Sequence, residues 1–194
     1  MNIRSSPEDF PMTNVNRRTV LVQMGVLAGA ALLVLATHPA PAAAQTAHAD
    51  LVNAQGATIG HAKFSTVSNG VKVSVTVSQL SPGEHGIHIH NVGKCDGPAF
   101  TSAGGHFNPT GAHHGIHNAQ DPHPHLGDLP NLVVSGKGTG KLTFTAVGAT
   151  ISAGPNSLFH EGGTALVIHA KPDDLTNDPS GNSGDRIACG VIVQ

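Results

Sequence analysis

Four valines at every second position constrain this chain more than any other feature. In "VKVSVTVSQL", residues 71–80, Val71, Val73, Val75 and Val77 alternate with Lys72, Ser74, Thr76 and Ser78. A period of two puts one set on each side of a pleated strand, and a helix cannot separate them. Asn69-Gly70 just before it is a hairpin turn signal that pairs the strand with "HAKFSTVS" upstream. Other short runs read the same way. "ADLVNAQGATIG" supplies a first strand, followed later by "GIHIH" (86–90), "LVVS" (132–135), "KLTFTAV" (141–147), "ALVIHA" (165–170) and "IACGVIVQ" (187–194). Gly, Pro and Asn punctuate them, and no convincing helix follows residue 44. The expected fold class is therefore all-β, a sandwich or barrel. With no Trp or Tyr, its core must come from Val, Ile, Leu, Ala and a few Phe.

The first 44 residues are of another kind. Arg17-Arg18 precedes an apolar run from Val20 to Ala36, and small residues stand at Ala42-Ala43-Ala44. That order reads as an export signal cleaved near Ala44, leaving a domain over residues 45–194 in the periplasm or secreted. The arginine pair suits the twin-arginine route, with the general secretory route as the alternative. An uncleaved transmembrane anchor is the rival reading, because the apolar run nears the ~18 residues a span requires. A cleaved mature form would not span the membrane.

Beyond residue 44 there are seven Lys/Arg and ten Asp/Glu, a formal charge of −3. No basic patch results, so nucleic acid is not an expected partner. Two cysteines, Cys95 and Cys189, form an even set in an exported chain and are expected to pair. In the chain-entropy model, closing a loop of about 95 residues stabilises by roughly 4–5 kcal/mol. Two buried thiols are the alternative.

Two long connections interrupt the strands: Asn91 to Asn131, and "KPDDLTNDPSGNSGDR" (171–186). Structureless loops of this length usually serve a function or are pinned. The first contains "GAHHGIHNAQDPHPHLGD" (111–128), with five histidines in eighteen positions. A single histidine is more often a surface or core residue than a ligand, so spacing has to decide. His88 and His90, at i and i+2 on a strand, face one side while Ile87 and Ile89 face the other. They are half of a metal site or an exposed polar face. His169 ends another apolar strand. The loop adds His106, His113, His114, His117, His123, His125 and Asp128. Imidazoles suit copper and zinc, and one carboxylate among imidazoles suits zinc.

Five runs together resemble one family: "GEHGIHIH" (83–90), "GGHFNP" (104–109), "HLGDLPNL" (125–132), "VIHAKPDDL" (167–175) and "GNSGDRIACGVI" (181–192). The chain resembles the copper/zinc superoxide dismutases over most of residues 45–194. The resemblance implies an eight-stranded antiparallel Greek-key barrel with two functional loops. It implies one copper per chain held by His88, His90, His106 and His169, and one zinc held by His106, His114, His125 and Asp128. His106 would bridge the metals and act with Arg186 in catalysis. Asp173 would hydrogen-bond His88 and His114, and Cys95–Cys189 would be the disulfide. The implied activity is dismutation of superoxide to O2 and hydrogen peroxide by a redox-cycling copper, an antioxidant function outside the cytoplasm. A homodimer is compatible with the family, which also includes monomers.

Two features depart from the family pattern. His114 and His125 are eleven positions apart. The usual spacing is about two residues shorter, which His123 would satisfy. His125 is preferred because it opens the H-x-G-D run that ends in Asp128, with Pro122 and Pro124 shaping the longer loop. The second departure is charge: Asp173, Asp174, Asp178 and Asp185 outnumber Lys171 and Arg186 in the second loop. Steering of superoxide would then rest on the metals, Arg186 and Lys94. His113, His117 and His160 have no ligand role in this scheme. A copper/zinc-binding or copper-delivery protein on the same fold is the alternative function. Such relatives should lack a liganding histidine or the arginine, and all are present here. A purely structural sandwich would leave the ligand set unexplained.

Overall fold

The computed structural model describes residues 45–120 and 124–194; residues 1–44, where an export signal is expected, and His123 lie outside them. Nine strands follow one another: β1 Thr46–Asn53, β2 Thr58–Val67, β3 Gly70–Val77, β4 Gly83–His85, β5 Ile87–His90, β6 Leu132–Val134, β7 Gly140–Val147, β8 Ala165–His169 and β9 Arg186–Val191. All pair antiparallel in one sheet of order β4-β6-β7-β3-β2-β1-β9-β8-β5. The two end strands, β4 and β5, are consecutive in the chain, so the sheet curls round into a nearly closed barrel.

The valine pattern sets the wall of that barrel. Val71, Val73, Val75 and Val77 are buried, with Phe64, Leu51, Ile89 and Leu129 in the same core. Lys72 and Thr76 face solvent. Burying each such valine contributes about 1.5 kcal/mol or more. The hairpin forms where expected, in the register Val67↔Gly70, with Ser68 and Asn69 as the turn and Gly70 already in the strand.

Two expectations need correcting. "ADLVNAQGATIG" is not one strand: β1 ends at Asn53, whose Oδ1 accepts the N–H groups of Gln55 and Ala57, both at 3.0 Å. That side-chain turn reverses the chain, and Thr58-Ile59-Gly60 opens β2. The strand count is nine, not eight, because the stretch around Gly86 serves two neighbours. Gly83–His85 pairs with β6, and Ile87–His90 pairs with β8. Gly86 links the barrel's ends, donating to Lys171 O and accepting from His169 N, each at 2.8 Å.

The first long loop completes the edge that β5 leaves open. Ile89 O accepts from Phe107 N at 2.8 Å, and Ile89 N donates to Gly127 O at 2.9 Å. Residues 106–107 and 127–128 thus stand in for a neighbouring strand, which places His106 beside His90 and Asp128 beside His88. A Cβ on Gly127 would run into the Ile89 carbonyl, so the glycine of H-x-G-D is what permits this approach. The start of the first loop is seated by a second small core of Phe100, Ala103, Ala165, Val167 and Cys189 on the outer face of β8 and β9. Cys95 and Cys189 are disulfide-bonded across 94 residues, with Cα atoms 5.6 Å apart, and no free cysteine remains.

Candidate metal centre

The side of β5 opposite the isoleucines is covered by the two loops, so all four residues Ile87–His90 are buried. Four imidazoles meet there. His88 and His90 come from β5, His169 from the end of β8, and His106 from the loop segment paired to β5. One ring nitrogen from each lies within 4.8 Å of the others. His106, His114, His125 and Asp128 form a second group within the same limit, and His106 belongs to both.

Each ring has one nitrogen occupied and one left over. His90 Nδ1 donates to Gly104 O at 2.9 Å, and His169 Nδ1 donates to Gly184 O at 3.1 Å. His88 Nε2 donates to Asp173 Oδ2 at 2.6 Å, and His106 Nδ1 lies 2.9 Å from Asp128 Oδ1. The opposite nitrogens, His88 Nδ1, His90 Nε2, His106 Nε2 and His169 Nε2, are buried with no hydrogen-bond partner. Nδ1 of His114 is in the same condition, although it sits 3.0 Å from Asp128 Oδ1. The distance is short but the alignment is not that of a hydrogen bond. Another buried unpartnered ring nitrogen belongs to His160, which stacks on Phe107 and joins neither group.

A buried polar atom without a partner is costly, and five in one place call for a common partner. The second group has the spacing for one. Asp128 Oδ1 lies 2.9, 3.0 and 3.4 Å from ring nitrogens of His106, His114 and His125. Ligands about 2.0–2.1 Å from a tetrahedral zinc stand about 3.3–3.4 Å from one another. Three imidazoles and a carboxylate fit zinc; four imidazoles fit copper.

The electrostatics agree with that chemistry. Burial pushes the rings down, His88 to about 3, His90 to about 2 and His169 to about 4, and it lowers His106 as well. These rings are neutral at ordinary pH, with lone pairs free to bind a cation. His114 goes the other way. Burial alone would lower it, but the Asp128 and Asp173 carboxylates outweigh burial and raise it to about 9. Burial would likewise raise both acids, yet their histidine partners hold them well below the usual carboxylate range.

Asp173 joins the groups: beside its bond to His88, its Oδ1 accepts from His114 Nε2 at 3.0 Å. A Cβ on Gly181 would overlap that carboxylate, so the second loop can close over Asp173 only with glycine there. Arg186 donates to Phe100 O at 2.8 Å and to Gly104 O at 2.6 Å. Gly104 O is also the acceptor for His90, so the guanidinium is tied to the frame of the four-imidazole group. The structure thus brings together His88, His90, His106, His169, His114, His125, Asp128 and Asp173, with Arg186 joined to them through Gly104 O.

Sequence reading missed several supports. His85 is buried, with Nδ1 2.7 Å from His169 O and Nε2 2.9 Å from Ser81 O. It braces the main chain that carries His169, and its only signal was its place in "GEHGIHIH". Asn131 clasps the Asp173 main chain, Nδ2 to O and N to Oδ1, both 2.8 Å. It stands within "HLGDLPNL" but has no ligand chemistry of its own.

Comparison with known proteins points the same way. The family model described as copper/zinc superoxide dismutase matches residues 58–192. The protein called Superoxide dismutase [Cu-Zn] 2 of Aquifex aeolicus is 46% identical over 170 residues, covering 87% of this chain and 96% of its own. Superoxide dismutase [Cu-Zn] 1 of the same organism is 48% identical over 147 residues, covering 75% and 86%. The crystal structure of a SOD-like protein from Bacillus subtilis superposes with a TM-score of 0.70 at 37% identity, over 74% of this chain and 96% of that one. With fold, buried imidazoles and sequence in agreement, this chain belongs to the copper/zinc superoxide dismutase family.

Proposed function

We propose that the chain dismutes superoxide, with copper held by His88, His90, His106 and His169 and zinc held by His106, His114, His125 and Asp128. The observation that carries this reading is the set of five buried, unpartnered ring nitrogens converging as two groups that share His106. Copper, when bound, supplies the one-electron couple that dismutation of superoxide to O2 and hydrogen peroxide requires.

The chain's own residues do the rest. Second nitrogens of His88, His90 and His169 are fixed by Asp173, Gly104 and Gly184, which sets the tautomer and aim of each ring. His106 turns Nδ1 toward Asp128 and leaves Nε2 toward the four-imidazole group. That Nε2 is the atom that can hold a proton for the peroxide product. Burial disfavours the protonated ring, so the proton is readily given up. Arg186, partly exposed and fixed through two carbonyls, keeps a permanent cation with several donors where a small anion arrives.

Residues 1–44 are proposed as an export signal cleaved near Ala44, with the domain over 45–194 acting in the periplasm or after secretion. The disulfide supports an oxidising compartment. Among the described residues no helix is long and apolar enough to cross a membrane. The test is metal content and superoxide turnover measured on one exported sample. One copper, one zinc and rapid turnover are expected. Full metal without turnover would make the chain a copper-carrying protein instead.

A further inference from the structure

His113 stands next to a proposed zinc ligand and belongs to neither metal group. Its Nδ1 lies 2.6 Å from Oδ2 of Asp178, in the second long loop. The other oxygen, Oδ1, accepts the backbone N–H of His114, also at 2.6 Å. One carboxylate thus holds the ring of one residue and the main chain of the next, across a sequence separation of 64 or 65. The following residue is anchored too: Gly115 N donates to Asp128 Oδ2 at 2.8 Å. The far end of the His114 ring rests on Asp173, five positions before Asp178 in the same loop.

We propose that Asp178, with His113 as its ring partner, is a positioning residue for the zinc site, fixing the His114 main chain so that its Nδ1 faces Asp128. This rests on the reading of His114 as a zinc ligand. The His113 and Asp178 side chains are 47% and 44% exposed, and a pair that open contributes little to stability as a pair. Its effect is geometric. Ligands must be held within about 0.5 Å of their working positions, and loops achieve this only through supporting contacts. Asp178 supplies such a contact to the ligand's own peptide N–H. His113 keeps the carboxylate turned so that Oδ1 meets the His114 amide. A histidine outside the ligand set therefore acts on the zinc site through Asp178.

The test compares Asp178→Ala, Asp178→Asn and His113→Gln in the full metal-loaded protein. Zinc release to a chromophoric chelator gives the rate, and cobalt placed in the zinc site reports its geometry through its visible bands. Asp178→Ala should release zinc about tenfold faster and alter the cobalt bands. Asp178→Asn keeps an oxygen for the His114 amide and should fall between that variant and wild type. His113→Gln should have a smaller effect that disappears in the Asp178→Ala background, because the shared partner is gone. Wild-type release and an unchanged cobalt spectrum in Asp178→Ala overturn the proposal, as do effects that multiply in the double variant. If Asp178→Ala fails to fold, wild-type rates in both Asp178→Asn and His113→Gln overturn it equally. Wild-type protein that takes up no zinc overturns the reading of His114 itself, a failure seen before any variant is compared.

Discussion

Nε2 of His88 donates to Oδ2 of Asp173 across 2.6 Å, with both side chains almost fully buried. The same carboxylate takes His114 Nε2 on its other oxygen. One acid therefore orients a ring in each proposed metal group. Asp173→Asn would place an amide N–H against one of those two ring N–H donors, leaving a buried donor unpaired. Zinc affinity is expected to drop about 10–100-fold, the range for outer partners of metal-binding histidines. Competition with a chelator measures it, and wild-type affinity would show that the bridge does not set ligand geometry.

Arg186 differs in kind, since it holds carbonyl groups and no proposed ligand atom. Arg186→Gln should leave copper and zinc content intact while slowing dismutation about 10–100-fold, as a fixed cation beside the arriving anion is lost. Arg186→Lys should fall between, because an ammonium keeps the charge but cannot span both carbonyls with a planar fork. The wild-type rate should also decline as salt rises from about 0.01 M to 1 M, where the screening length shrinks from about 30 Å to 3 Å. Pulse-generated superoxide followed at a series of salt concentrations reads both effects, and a salt-independent rate would remove electrostatic steering.

How far the sequence reaches can be judged residue by residue. Val71 to Val77 declared their strand because alternation is a local property of a half-buried sheet. The break at Gly86 was hidden, because a strand that changes neighbours midway is set by barrel closure and not by its own pattern. Site side chains with metal chemistry could be read from the family runs. Their supports could not: Gly104 and Gly184 act through carbonyl oxygens that every residue has. Asp178 looked like one more loop charge, because its partners lie 64 and 65 residues away.

The choice between His123 and His125 turns on spacing. His125 Nδ1 lies 3.4 Å from both Asp128 Oδ1 and His106 Nδ1, inside the proposed zinc group. His123 lies outside the described residues. His125→Ala is expected to lose most bound zinc, and His123→Ala to keep it. Metal analysis of the two variants after dialysis decides the matter: zinc lost only from His123→Ala would reverse the assignment. Copper should remain in both, because the four-imidazole group is made by His88, His90, His106 and His169.

Acid should destabilise the metal-free protein over a definite window. Burial lowers His88 to about 3, His90 to about 2 and His169 to about 4, against about 6.5 in the unfolded chain. Between those values the unfolded state binds more protons, so stability falls as pH falls. The contribution of these rings is complete above about pH 6.5 and drains away toward pH 4 and below. His106 is lowered and acts in the same direction. His114, raised to about 9, has the opposite sign: its contribution is full below about pH 6.5 and is lost as pH rises through 9. It therefore does not offset the acid loss. Urea unfolding of metal-free protein from pH 7 to pH 4 should show a slope equivalent to several protons taken up on unfolding. Restoring copper and zinc should raise stability at pH 7 and steepen the acid loss, because protons compete with the metals for the same nitrogens. Stability independent of pH across that window would mean that these rings are not buried and neutral in the folded chain.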